Sequence, residues 1–174
     1  MNRAFTLIET VIVIALSTSM MLALGLLIFS FNKISAYEQA SAKSSGSASA
    51  LMREIGSLTL PANAVLQTHT FPSATYTSSS TVLVLEIPSI NSSGNVITNT
   101  YDYAAFYSVG TNAYRLLHAS TTSSRTSGTK RLSSTISALT FSFNSANFPE
   151  IHTVIVDIQT QIKVKQEVLS DHRR

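Results

Sequence analysis

The sequence lacks cysteine and tryptophan, has four prolines and six glycines in 174 residues, and carries charge on only 12% of them. Without cysteine there is no disulfide framework, no cysteine-ligated iron–sulfur cluster and no thiolate zinc site. Compartment stays open, because a cysteine-free chain suits either side of a membrane. The charged share is about half that of an ordinary soluble domain, which argues against a cytosolic α/β enzyme and a disordered polyelectrolyte. The net charge of +3 gives no general case for nucleic acid. No proline precedes Pro61, so none interrupts a helix before that point.

What is present is unevenly spread. Thr10 to Asn32 is a run of 23 mostly aliphatic residues without a charge. As an α-helix it is about 34 Å long, enough to cross about 30 Å of hydrocarbon once. The rest of the chain is polar through hydroxyls, with 48 Ser and Thr in all. Three readings of the apolar run compete. A secretory signal peptide has an apolar core of roughly 7–15 residues, shorter than this one, although Ala40-Ser41-Ala42 mimics a cleavage site. A plain signal anchor fits the length. Neither explains Glu9, one turn into the apolar helix, where a deep carboxylate costs roughly 2.5–3.5 kcal/mol. Glu9 either reaches the headgroups or meets a positive partner outside this chain, since Arg3 is six positions back on another helix face.

The segment Ala4-Phe5-Thr6-Leu7-Ile8-Glu9 resembles the class III leader junction of type IV pilins and type II secretion pseudopilins. That motif joins a short basic leader and a small residue to Phe-Thr-Leu-Ile-Glu and a long apolar helix. Ala4 stands where the family usually has Gly. The resemblance implies cleavage between Ala4 and Phe5 by a prepilin peptidase, N-methylation of Phe5, and a role for Glu9 in assembly, opposite the N-terminal amine of a neighbouring subunit. Such pairing is physically reasonable, because two charges that are expensive in lipid neutralise each other.

Beyond the span, Ile34, Tyr37, Ala40, Ala48, Leu51, Ile55 and Leu58 recur mostly at three or four, the period of one helix face. One helix is therefore expected from Phe5 to about Leu58, stopped by Pro61. Within it, Ser41 to Ala50 is a weak helix former whose small side chains admit a close neighbour; a flexible linker is the competing reading. Residues 59–81 read as a surface connection with a short strand near Val65-Leu66. Strands are expected at Thr81–Ile87, Tyr101–Tyr107, Ala113–His118 and Ile136–Phe143, with a long final strand from Thr153 to Val168. Turns fall at Asn91–Asn95 and Gly110–Asn112, and a Ser/Thr-rich loop at Ser120–Thr129. The expected fold class is α+β: a long N-terminal helix, its first half transmembrane, packed on a four- or five-stranded antiparallel sheet. The division is a leader over 1–4, a membrane or filament-core half-helix over 5–32, an amphipathic half over 33–58 and a globular domain over 59–174.

The β region from Thr81 onward is similar to J-type pseudopilins and W-type minor pilins, which sit at or near filament tips. The expectation is thus a structural filament subunit, not an enzyme, with no cofactor and no metal. Its partners would be other pilin or pseudopilin subunits, the prepilin peptidase, an inner-membrane assembly platform and, before assembly, lipid. It would sit in a bacterial inner membrane with a cytoplasmic N-terminus, then in a pilus or pseudopilus. A single-pass protein that never polymerises is the alternative. Ser127-Gly128-Thr129-Lys130 matches S-x-x-K but lies in a Ser-rich loop without its partner motifs. His69, His118, His152 and His172 show no ligand spacing. Arg115, Arg125, Lys130 and Arg131 fall within 17 residues, with no acidic residue between Asp102 and Glu150. This basic cluster is the one candidate for DNA or another anion; a solvated loop is the competing reading.

Overall fold

The computed structural model describes the backbone of residues 6–164 and 167–173 and the side chains of residues 6–161. The chain divides into two compact units, Met1–Ala40 and Ser41–Arg174. One α-helix, α1 (Leu7–Thr59), supplies the first unit and begins the second.

From Val11 to Phe31, within the first unit, α1 presents apolar residues on every side. Val11, Ile12, Val13 and Ile14 are consecutive, so they point to different faces, yet each is 52–65% exposed. The hydroxyls of Ser17, Thr18 and Ser19 are satisfied by the helix itself. Ser17 Oγ donates to the Val13 carbonyl at 2.6 Å, Ser19 Oγ to that of Ala15 at 2.9 Å, and Thr18 Oγ1 to that of Ile14. Such back-bonding to the preceding turn is what a hydroxyl needs where water is absent. This helix is long and apolar enough to cross a membrane, and its most apolar window is unburied.

The remainder of α1 behaves differently. Ser44, Ala48, Leu51, Ile55 and Leu58 are buried, a stripe repeating at four, three, four and three. Ile34 and Tyr37, expected on the same stripe, are 57% and 44% exposed. The helix ends where the Leu60 amide bonds the Gly56 carbonyl at 3.0 Å and Pro61 prevents continuation.

Ten strands follow among the described residues: β1 (Ala64–Val65), β2 (Thr68–Thr70), β3 (Thr75–Thr77), β4 (Val82–Ile90), β5 (Val96–Val109), β6 (Asn112–His118), β7 (Gly128–Ser133), β8 (Ile136–Phe143), β9 (Val154–Val164) and β10 (Glu167–Arg173). The fold is α+β with antiparallel sheets, but the strands form three sheets instead of one. A five-stranded sheet runs β1-β4-β5-β6-β7, a three-stranded sheet β10-β9-β8, and β2 pairs only with β3. Leu83, Leu85, Ile87, Ala104, Phe106 and Leu117 of the large sheet, and Leu139, Phe141 and Ile158 of the smaller one, share a core with Leu51 and Ile55 of α1.

Ser41 to Ala50 is packing surface, not linker. Ser44 Oγ bonds Thr160 Oγ1 on β9, and Ser47 Oγ bonds Ser133 Oγ at 2.6 Å and accepts from Thr135 Oγ1 at 3.1 Å. The small residues bring the helix close to β9 and to the β7–β8 junction, and their hydroxyls satisfy one another there.

Three further sequence expectations are corrected. The single strand expected over Thr153–Val168 is β9 followed by β10, which folds back so that Val164 pairs with Glu167. The end of the loop expected over Ser120–Thr129 is β7, an edge strand whose first four residues are exposed. The connection over 59–81 contains the short strand expected near Val65, β1, but also an unexpected hairpin, β2–β3, that covers a second small core of Phe71, Val84, Ala105 and Leu116. β4 is therefore buried on both faces, which explains its unbroken apolar reading. The turn at Asn91–Asn95 is as expected: Asn91 Oδ1 accepts from the Ser93 and Asn95 amides at 2.9 and 3.0 Å, and Gly94 takes φ +81°.

Candidate functional site

Two places carry the residues singled out from the sequence, the start of α1 and the β6–β7 region. Ala4 and Phe5 lie outside the described residues. Thr6 and Glu9 form a reciprocal cap at the first turn. The Thr6 amide donates to Glu9 Oε2 at 2.8 Å, Thr6 Oγ1 donates to the same oxygen at 2.9 Å, and the Glu9 amide approaches Thr6 Oγ1 at 3.4 Å. This is the capping box, Thr at the N-cap and Glu three residues on, and it satisfies donors the first turn would otherwise leave open. The same two residues that resemble the leader junction thus also start the helix. Among the described residues Glu9's donors are the neutral amide and hydroxyl of Thr6, which hold its negative charge in place without cancelling it. A cation brought to that carboxylate would cancel the charge and lower its insertion penalty.

In the globular unit the four basic residues do not form one patch. Arg125 Nη1 donates to Asp102 Oδ2 at 2.7 Å and to the Pro88 carbonyl at 2.6 Å. Asp102 is fully buried and accepts in addition from Ser89 Oγ at 2.7 Å, the Ser120 amide at 2.9 Å and Ser123 Oγ at 2.7 Å. Burial pushes the Asp102 pKa up, but the hydrogen bonds from Arg125, Ser89, Ser120 and Ser123 outweigh it and hold the carboxyl below its ordinary value. This hub ties the connection after β6 to β4 and β5.

Arg115 takes a second route inward, pairing with Glu54 of α1, while Lys130 Nζ lies 3.6 Å from the same Glu54 carboxylate. Arg115 and Lys130 are register partners on β6 and β7, so they share a sheet face. Arg131 pairs with Tyr114 on the other face and is exposed. Two of the four cations, Arg115 and Arg125, are thereby committed to internal carboxylates, and Lys130 is shared with one. What remains outward is a sparse surface for phosphate.

The S-x-x-K residues are likewise engaged elsewhere. Ser127 Oγ accepts from the Ala119 amide at 2.9 Å, and Lys130 is drawn to Glu54. Among the described residues no cluster of three or more His, Asp and Glu is placed to hold a metal ion; the His172 side chain lies outside them.

Sequence reasoning did not find Asp102 and Glu54 as organising carboxylates. The signal was present for Asp102: in Tyr101-Asp102-Tyr103-Ala104-Ala105-Phe106 it shares the alternation of Ala104 and Phe106. A carboxylate on a core face demands a partner, and the next acidic residue is Glu150, so the intervening arginines were the supply. No such local signal exists for Glu54, whose partners are 61 and 76 residues away. Comparison of the chain with family models, curated proteins and solved structures returned no match. The functional reading therefore rests on the residues themselves.

Proposed function

We propose that this chain is a membrane-anchored structural subunit of a filament of the type IV pilus and type II secretion class. The observation that carries the reading is a helix apolar on all faces from Leu7 to Phe31 that starts in the Thr6–Glu9 cap, directly after a resembling leader junction. Before assembly, lipid covers this half-helix; in a filament, the same surface packs against copies of itself or related subunits. A prepilin peptidase removes residues 1–4 and methylates Phe5. The N-terminus is cytoplasmic, the β-sheet unit lies outside the inner membrane, and an assembly platform feeds the subunit into a pilus or pseudopilus. As in J-type pseudopilins and W-type minor pilins, the place proposed for it is near the tip.

Glu9 is the residue that distinguishes a filament subunit from a single-pass protein that never polymerises. Held by Thr6, its carboxylate is positioned to receive the Phe5 amine of a neighbour. Glu9→Val removes a membrane charge and so inserts at least as well, but leaves the neighbour's amine unpaired in an apolar core. The test is quantification of Glu9→Val in membranes and in sheared filaments. Retention in membranes with loss from filaments is expected. Unchanged recovery in filaments would contradict the assembly role.

A further inference from the structure

The β2–β3 hairpin is held down by side chains more than by backbone. Its strands pair only with each other, and an isolated two-stranded hairpin is marginally stable in water. At its base the Leu66 amide bonds the Val84 carbonyl at 2.9 Å, and Ser78 Oγ accepts from the Val84 amide at 3.0 Å. Beyond that base the contact is an aromatic cluster. His69 stacks on Tyr103 of β5 with ring centres 3.7 Å apart and planes within 16°, and meets Phe71 edge-on at 4.8 Å. Phe71 in turn lies over Val84, Ala105 and Leu116.

The cluster contains a second imidazole. His118 of β6 faces His69 with ring centres 6.1 Å apart. His69 Nε2 and His118 Nδ1 are both buried without a hydrogen-bond partner among the described residues. A proton placed on His69 would therefore enter a desolvated aromatic site beside another base. The titratable groups packed around His69 are Tyr76 of β3, Glu86 of β4, Tyr103 of β5 and His118. Glu86 is the one carboxylate among them, and it already accepts from Asn63 Nδ2 at 2.7 Å.

We propose that the β2–β3 hairpin is an acid-released flap: protonation of His69 lifts the hairpin from the large sheet and uncovers Val84, Ala105 and Leu116. Burial first, and His118 second, push the His69 pKa below its ordinary value against the opposing pull of Glu86. The closed flap therefore binds protons more weakly than the open one. Closure is fully favoured above about pH 6.5 and is lost as pH falls from there towards the depressed value.

Peptide-resolved hydrogen exchange on the full chain in detergent micelles, corrected for intrinsic rates, tests this at pH 7.5, 6.5 and 5.5. Between pH 6.5 and 5.5 the amides of 67–78 should lose up to about tenfold in protection, the limit for one proton per pH unit, while the β5–β6 hairpin stays protected. His69→Phe keeps the ring without the proton and should abolish the pH dependence, whereas His152→Gln should leave it intact. In the wild-type protein the midpoint should coincide with the titration of His69 in histidine-selective NMR spectra, a readout that needs no variant. Equal protection at all three pH values, an unchanged response in His69→Phe, a midpoint belonging to another group, or simultaneous opening of β5–β6 would each overturn the proposal. None of these outcomes depends on filament assembly.

Discussion

Arg125 reaches 23 positions back along the chain to place Nη1 2.7 Å from the carboxylate of Asp102, which has no exposed surface. The pair converts a Ser/Thr-rich connection into a fixed one, because Ser120 and Ser123 donate to the same carboxylate. A buried pair of this kind contributes little net energy over an apolar alternative, but removing one partner strands the other.

Asp102→Ala should therefore destabilise the globular unit by about 3–5 kcal/mol, as should Arg125→Ala, and the double variant should lose much less than the sum. A double-mutant cycle by thermal unfolding measures the coupling. The sign of the pH effect follows from the depressed Asp102 pKa: its stabilisation is complete above the ordinary carboxylate value of about 3.9 and is lost as pH falls through the lower folded value. Asp102→Asn should flatten that acid limb.

The small residues of α1 support a second prediction. Ser44 is 2% exposed and bonds Thr160. Ser44→Ala should cost about 1 kcal/mol through the lost hydrogen bond, whereas Ser44→Leu should cost about 1–3 kcal/mol or more by overpacking the helix against β9. At about 2–4 °C per kcal/mol for a domain of this size, the two variants separate in a melting experiment. Equal melting temperatures would mean that Ser44 is not close-packed.

Most of the helix was legible in the sequence, because an unbroken apolar run and a three-four stripe are local signals. So were the strands with strong alternation and the turn at Asn91, whose side chain caps its own loop. The partition into sheets was not. β7 reads Gly-Thr-Lys-Arg-Leu-Ser, an exposed edge with no apolar face to announce it. Alternation continues from Val154 to Val168, and no Gly, Asn, Asp or Pro separates Val164 from Glu167 to announce the reversal there. The basic cluster misled for a related reason: sequence proximity put four cations together, while strand alternation sends Arg115 and Arg131 to opposite faces. Glu54, far upstream, claims two of the four.

That rearrangement changes the expected behaviour towards DNA. Four phosphate contacts would give a salt slope of about −3.6, but with Arg115 and Arg125 committed, Lys130 and Arg131 can supply two, for about −1.8. Titration of the full chain in detergent against duplex DNA should show at most weak binding at 50 mM salt, falling about tenfold by 200 mM. A slope near −3.6, reduced to about −2.7 in Arg125→Ala, would show that the internal pairs open for phosphate.

The proposed function depends first on processing. Intact-mass analysis of the protein extracted from membranes of a host with an active prepilin peptidase measures it directly. The account predicts a chain that begins at Phe5 and carries one N-methyl group. A chain retaining Met1 would contradict the filament-subunit reading, and one beginning at Lys43 would instead mark the apolar segment as a secretory signal.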